Sequence, residues 1–115
     1  SLDEGDMKDL GFKADVKDIV LSRAKRALKL GCDGVVSSGL EVSELRQHLG
    51  EKFIFVTPGI RPVKNTDDQK RTVSVEEAFH NGADYIVVGR PIKDHADPKQ
   101  AALDIQKSIR KVFSA

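Results

Sequence analysis

The chain has 115 residues, enough for one domain with a modest hydrophobic core. Its 19 Lys and Arg residues nearly balance 18 Asp and Glu residues, so the net charge of +1 gives no general attraction to nucleic acid or to an anionic membrane surface. Its apolar runs are far shorter than a membrane span. A single cysteine, Cys32, excludes an internal disulfide, and no His and Cys cluster has metal-site spacing.

The first half of the chain predicts helices that end at glycines. Residues 3–10 are acidic and weakly helical, and Gly11 follows them. From Asp15, apolar residues recur at intervals of three and four, which predicts an amphipathic helix of about four turns that ends at Gly31. A short run over 33–38, bounded by small residues and counted as a strand, and a helical stretch over 41–49 come next. Cys32 is expected to be a small packed residue in the turn between the long helix and that run.

Two uninterrupted apolar runs, 53–56 and 85–88, predict strands that are buried on both faces. Between them, Ser74 and Glu77 have the spacing of a capping box, which predicts a helix that continues to about Asn81. These runs and helices alternate along the chain. The pattern is typical of an α/β fold in which parallel strands are joined by right-handed crossovers.

The last helix is predicted from its start and from its apolar stripe. Asp97 is a suitable N-cap, Pro98 suits the first helical position, and Gln100 stands at the reciprocal capping position. The predicted buried stripe consists of Ala101, Ala102, Ile105, Ile109 and Val112. Three parallel strands with helices on one side only would leave two unpaired edges and an uncovered apolar face.

Two loops after the apolar strands carry the residue types that hold phosphate. The first is Thr57-Pro-Gly-Ile-Arg-Pro62, and the second is Val87-Val-Gly-Arg-Pro-Ile92. Gly89 would let backbone N–H groups approach phosphate oxygens, and the guanidinium of Arg90 can donate a forked pair of hydrogen bonds. Arg61 could close from the first loop. Arg90 could instead be only a surface ion-pair former, and Arg61 could instead be a structural residue.

The connection between the two strands is unusually long. Residues 57–72 exceed the length of most βα loops, and such long connections are often functional. Residues 64–70 are polar and include Gln69, whose amide can reach phosphate or a neutral ring group. The sequence therefore predicts a substrate-responsive loop here.

Four segments resemble the C-terminal half of bacterial orotidine 5'-phosphate decarboxylases. They are Asp33-Gly-Val-Val-Ser-Ser38, Val56-Thr-Pro-Gly-Ile-Arg-Pro62, Asp67-Asp-Gln-Lys-Arg71 and Ala83-Asp-Tyr-Ile-Val-Val-Gly-Arg-Pro-Ile92. The resemblance implies that residues 1–115 are the C-terminal portion, about three βα units, of a single TIM (β/α)8 barrel. It also implies a homodimeric enzyme that converts orotidine 5'-phosphate to UMP in pyrimidine biosynthesis without metal or organic cofactor. The single cysteine favours a reducing, cytoplasmic setting.

The resemblance implies a substrate-binding role for six residues. The phosphate would be bound by four of them, and the pocket near the base would be lined by the other two: Arg61, Gln69, Gly89 and Arg90, then Thr57 and Pro58. The family's catalytic lysines and aspartates have no counterpart in the chain and are expected to lie before Ser1. No catalytic residue is assigned, because the Lys-Asp neighbours and the three histidines of this chain are interpreted as surface or helix-end residues. The chain alone is not expected to turn over.

Two alternatives remain open. A relative in the same barrel superfamily, acting on a sugar phosphate as a lyase or decarboxylase, would keep the phosphate loops and lack a pyrimidine pocket. A non-catalytic half-barrel fragment that associates with other chains would explain the missing strands. The segment Asp67–Arg71 favours the decarboxylase.

Overall fold

The computed structural model describes residues 3–11, 13, 15–62 and 72–114. Within these residues, helices alternate with the strands of a three-stranded parallel sheet, which confirms the predicted α/β fold. The elements in chain order are α1 (Glu4–Asp9), α2 (Val16–Lys29), β1 (Gly34–Val36), α3 (Gly39–Leu49), β2 (Ile54–Thr57), α4 (Val75–His80), β3 (Tyr85–Ile86), α5 (Arg90–Lys93) and α6 (Pro98–Phe113).

The strands lie side by side in chain order, β1-β2-β3. Val36 pairs with Val56, and Val56 pairs with Tyr85, so the central strand β2 is held on both sides. Pairing continues past the end of β3, where the Val87 N–H donates to the Thr57 carbonyl at 2.9 Å. Because the strands are parallel, the loops that follow β2 and β3 leave the sheet at the same edge.

The helix starts follow the local sequence signals closely. Ser74 and Glu77 form the predicted capping box, with each side chain accepting from the other's backbone N–H at 3.1 Å. Asp97 caps α6 as predicted, since its side chain accepts from the Gln100 N–H at 3.2 Å. The reciprocal bond, in which the Gln100 side chain would accept from the Asp97 N–H, is not formed, because that N–H donates to His95 Nδ1 at 2.9 Å. The Gln100 amide instead donates to Asp104 at 2.9 Å, one helical turn further on.

The end of the third predicted strand also differs from the sequence prediction. Val87 and Val88 lie outside β3, and the short helix α5 begins at Arg90. Pro91 in the first turn of α5 suits a helix start, because the N–H that proline lacks would have no partner within the helix there. The chain therefore turns away from the sheet earlier than the apolar run suggests.

Two hydrophobic clusters cover one face of the sheet. Helices α2 and α3 pack on β1 and β2 through one cluster, composed of Ala24, Val42, Leu45, Phe53 and Phe55. Helices α4 and α6 pack beside β3 through the other, composed of Ile60, Val73, Val75, Ala78, Ala83 and Ile105. The predicted stripe of α6 is confirmed, because Ala101 and Ile105 are buried and Ile109 packs against the second cluster.

The other face of the sheet is open. Val36 is 71% exposed and Tyr85 is 63% exposed, and both lie on the side opposite Phe55. The prediction that the strands are buried on both faces is therefore wrong for the described chain, which has helices on one side only. Cys32 lies in the predicted turn but is exposed rather than packed. Among the described residues, no helix is both long and apolar enough to span a membrane.

Candidate functional site

The candidate site lies at the sheet edge where β2 and β3 end. The chain continues from Thr57 into Pro58, Gly59 and Ile60, and it continues from Ile86 into the segment that contains Gly89. The hydrogen bond from Val87 to Thr57 joins the beginnings of these two segments. The structure thus places the two predicted phosphate loops side by side.

Arg61 is held in place through both its backbone and its side chain. Its N–H donates to the Val73 carbonyl at 3.0 Å, and its Nη1 donates to the Ile60 carbonyl at 2.8 Å. The residue is only 8% exposed. Arg61 is therefore a buried, anchored residue, and not a side chain that extends into solvent.

A small parallel bridge holds the base of the long connection together. Ile60 pairs with Val73, and the Val73 N–H donates to the Gly59 carbonyl at 3.2 Å. Gly59 has a φ of 73°, a left-handed conformation that glycine adopts without strain. The bridge places Val73 beside Ile60, and so fixes Arg61 near the end of β2.

Gly89 and Arg90 begin the short helix α5. The Gly89 carbonyl accepts from the N–H groups of Ile92 and Lys93, at 3.0 and 2.9 Å. Among the described residues, nothing lies within 4 Å of a Cβ built on Gly89. Arg90 is half-buried. In the described part of the chain, no side chain blocks the approach of an anion from this side of the Gly89 backbone.

Thr57 and Pro58 lie at the end of β2. Thr57 is fully buried, and among the described residues its Oγ1 has no hydrogen-bond partner. Thr57 is two residues after Phe55, so its side chain is on the helix-covered face of the sheet. Pro58 is half-buried. Gln69, the remaining predicted site residue, and the segment Asp67–Arg71 lie outside the described residues.

Arg46 of α3 ties together the opposite, N-terminal ends of the two strands that carry the site. Its guanidinium donates to the Phe53 carbonyl at 2.7 Å and to Asp84 Oδ2 at 2.9 Å, and it also bonds the Gly82 carbonyl. The same Asp84 oxygen accepts from the Phe55 N–H at 2.9 Å. No local signal in the sequence indicates this cluster, because Arg46 has the helix position of an ordinary surface arginine.

The pKa of Asp84 reflects this cluster. Partial burial alone would raise the pKa, but the hydrogen bonds from Phe55 and Arg46 and the positive charge of Arg46 together hold it below its ordinary value of 3.8. Asp84 is therefore a carboxylate that fixes the register of β2 against β3. In the described part of the chain, no group of three or more His, Cys, Asp or Glu side chains could hold a metal ion.

Comparison with known families agrees with this geometry. A model of the "Orotidine 5'-phosphate decarboxylase / HUMPS family" matches residues 1–105. The chain belongs to this family. The match covers every described residue of the candidate site, from Thr57 to Arg90.

Curated members of the orotidine 5'-phosphate decarboxylase family resemble the whole chain. An orotidine 5'-phosphate decarboxylase of Methylococcus capsulatus is 63% identical over 117 residues, which span 100% of this chain and 48% of that protein. One of Nitrobacter winogradskyi is 48% identical over 116 residues, 100% of this chain and 47% of that protein. The chain spans about half the length of the curated relatives it matches.

A solved structure of the family shows the same fold. The crystal structure of orotidine 5'-phosphate decarboxylase from Lactobacillus acidophilus superposes with a TM-score of 0.75 at 35% identity, over 98% of this chain and 45% of that one. The predicted partial TIM barrel is thereby confirmed, and it amounts to roughly half of a barrel. In a closed barrel one face of every strand points to the centre, which is where the exposed face of Val36 and Tyr85 belongs.

Proposed function

We propose that this chain supplies the phosphate-binding half of an enzyme that decarboxylates orotidine 5'-phosphate to UMP in pyrimidine biosynthesis. The observation that carries the proposal is the placement of Arg61 and the Gly89–Arg90 pair on neighbouring loops at one sheet edge. The C-terminal edge is where barrels of this kind bind substrate, often with phosphate on the last two loops.

Each residue has a definite role in the proposal. The open backbone at Gly89 would donate N–H groups to phosphate oxygens, and the two guanidiniums would neutralise the charge of the phosphate. Arg61 Nη1 donates to the Ile60 carbonyl, which holds the guanidinium beside the end of β2. Gln69 would complete the phosphate contacts. Pro58 and the backbone of Thr57 would face the base.

Phosphate binding at this edge would contribute to catalysis indirectly. Binding energy from a part of the substrate that does not react can hold the reacting ring in place and stabilise the transition state. No residue of this chain is assigned to cleavage of the carbon–carbon bond, so we expect the chain alone to be inactive. Assembly of the complete enzyme as a homodimer and its cytoplasmic location stay predictions.

A chimera would test the proposal. The 115-residue chain is joined to the remaining half of the Methylococcus capsulatus relative, and the product is assayed for release of CO₂ from orotidine 5'-phosphate. Turnover with a preference for UMP over ribulose 5-phosphate as competing ligand supports the decarboxylase. Tighter binding of ribulose 5-phosphate would favour the sugar-phosphate alternative, and a folded chimera without turnover would contradict the proposal.

Arginine variants of the chimera test the assigned residues. Arg61→Ala and Arg90→Ala should each weaken UMP binding by about 10- to 100-fold, the loss expected for one charge-assisted hydrogen bond. Uridine lacks the phosphate, so its affinity should change little. Arg110→Ala, on the exposed surface of α6, is the matched control and should leave both affinities unchanged. Equal losses for UMP and uridine would show that the arginines do not bind the phosphate.

A further inference from the structure

Gly39, the first residue of α3, is in unusually close contact with Val73. A Cβ built on Gly39 would lie 2.3 Å from Val73 Cγ2 and 3.0 Å from Val73 Cγ1. Real side chains do not approach so closely, and both residues are buried. Only a residue without a side chain allows Val73 to lie where it does.

Val73 is also the residue that holds Arg61. Its carbonyl accepts from the Arg61 N–H at 3.0 Å, and its own N–H donates to Gly59 at 3.2 Å. A displacement of Val73 would therefore shift the backbone of Arg61 or break the hydrogen bond between them. Valine branches at Cβ and has few rotamers, so it cannot simply turn away from an added methyl group.

The α3 side of the contact is fixed as well. The Gly39 carbonyl accepts from Asn81 Nδ2 at 3.1 Å, which ties the first turn of α3 to the end of α4. Helix α3 is also packed through the fully buried Val42 and the nearly buried Leu45. If Gly39 gained a side chain, the bridge at Val73 would have to move rather than the helix.

We propose that Gly39 is a positioning residue for Arg61, acting through Val73. The inference rests on the proposed function, since it assigns to Arg61 the phosphate of a nucleotide. The absence of a side chain at position 39 leaves room for the valine at position 73, and this fit sets the position of Arg61. The position of Arg61 in turn sets the preference for a phosphorylated over an unphosphorylated nucleoside. Gly39 itself touches no ligand.

Four variants of the chimera, each changed in the half that this chain supplies, test this inference: Gly39→Ala, Val73→Ala, the double variant Gly39→Ala/Val73→Ala, and Gly5→Ala. The double variant removes both Val73 Cγ atoms and leaves the new methyl group 3.2 Å from the Cβ at position 73, a contact that a small shift relieves. Gly5→Ala is the matched control, because its nearest neighbour is an exposed Asp3 oxygen at 3.4 Å.

Two measurements are made by NMR on each variant. The first is hydrogen exchange of the Arg61 amide, which reports on its bond to Val73 without any ligand. The second is the ratio of the dissociation constants for uridine and UMP. We expect Gly39→Ala to speed Arg61 exchange by about 10-fold and to lower the ratio by a similar factor. The double variant should return both values to within about 3-fold of wild type, and Gly5→Ala should change neither.

The outcomes separate the two proposals. If Gly39→Ala lowers the melting temperature while Arg61 exchange and the affinity ratio stay at wild-type values, Gly39 has a merely structural role. Failure of the double variant to restore Arg61 exchange would also overturn the inference. If Gly39→Ala does not fold, the comparison of Val73→Ala with the double variant decides. The methyl group at position 39 of the double variant fills the space left by Val73, so it must restore the protection of the Arg61 amide that Val73→Ala loses. An unmutated chimera that binds uridine and UMP equally would overturn the proposed function, and the exchange data would still test the positioning of Arg61.

Discussion

Arg46 Nη2 lies 2.9 Å from Asp84 Oδ2, across the N-terminal ends of β2 and β3. The guanidinium carbon of Arg46 is also 4.5 Å from the centre of the Phe55 ring. One arginine of α3 thus contacts a side chain of β2 and the side chain immediately before β3, the two strands that lead to the candidate site. The cluster is at the end of the sheet opposite Arg61 and Gly89, where barrels of this class place residues that serve stability.

Removal of Arg46 should destabilise the fold. Arg46→Ala deletes bonds to the Phe53 and Gly82 carbonyls and leaves Asp84 without its cation, so we expect the free energy of unfolding to fall by about 2–3 kcal/mol. Urea denaturation measures the change. Lys17→Ala is the control, because the Lys17–Glu44 pair is exposed and 3.6 Å long, and its loss should cost less than about 0.5 kcal/mol. Equal effects of the two variants would contradict the role given to Arg46.

Asp84 should make stability depend on pH. Its pKa is lowered in the folded state, so the carboxylate contributes stability above the ordinary value of 3.8, and that contribution is lost as the pH falls through the folded pKa. The difference in unfolding free energy between wild type and Asp84→Asn should be the same at about pH 7 and about pH 5, and smaller at about pH 3. Asp94→Asn, which removes an exposed partner of Lys93, should differ little from wild type at each pH. A difference that grows on acidification would show the opposite sign.

Thr57 offers a test of a buried hydroxyl. Its Oγ1 is buried without a partner among the described residues, so replacement by valine of similar shape should raise the free energy of unfolding by about 1 kcal/mol. Thermal and urea unfolding of Thr57→Val measure the change. Lower stability would show that the hydroxyl is bonded in the folded protein.

The capping box at α4 should contribute to the stability of the second hydrophobic cluster. Ser74→Ala removes the acceptor of the Glu77 N–H, and the expected loss is about 1 kcal/mol. Ser108→Ala, whose hydroxyl bonds a carbonyl within the exposed side of α6, is the matched control and should change stability by less than about 0.5 kcal/mol. Guanidinium unfolding of the two variants compares them. A loss shared equally by both would mean that the box has no special role.

The features that the sequence predicted well depend on residues close together in the chain. The Ser74–Glu77 box spans one helical turn, and the stripe of α6 repeats at the helical period. The exposed Cys32 and the short β3 were predicted wrongly for a different reason. Burial and strand length depend on what packs against a segment, and a run of apolar residues does not specify its neighbours.

The site is organised by contacts between residues that are far apart in the chain. Arg46 and Asp84 are 38 residues apart in the chain, and Asn81 is 42 residues from Gly39. The local sequence around Gly39 resembles an ordinary helix start, and nothing in it points to Val73. Such pairs are defined by how helices pack on the sheet, so only the folded structure identifies them.

The sequence by itself determined the α/β order of the elements, the family, and the two segments that carry Arg61 and Gly89–Arg90. Those properties can be predicted from residue type and spacing alone, because periodicity and short motifs depend only on residues that are close in the chain. The tertiary structure decided that Arg61 is buried against the Ile60 carbonyl, that the Thr57 side chain is on the helix-covered face, and that Gly39 limits the position of Val73. These depend on distance and burial, because close packing leaves each side chain only the space that residues from other parts of the chain allow.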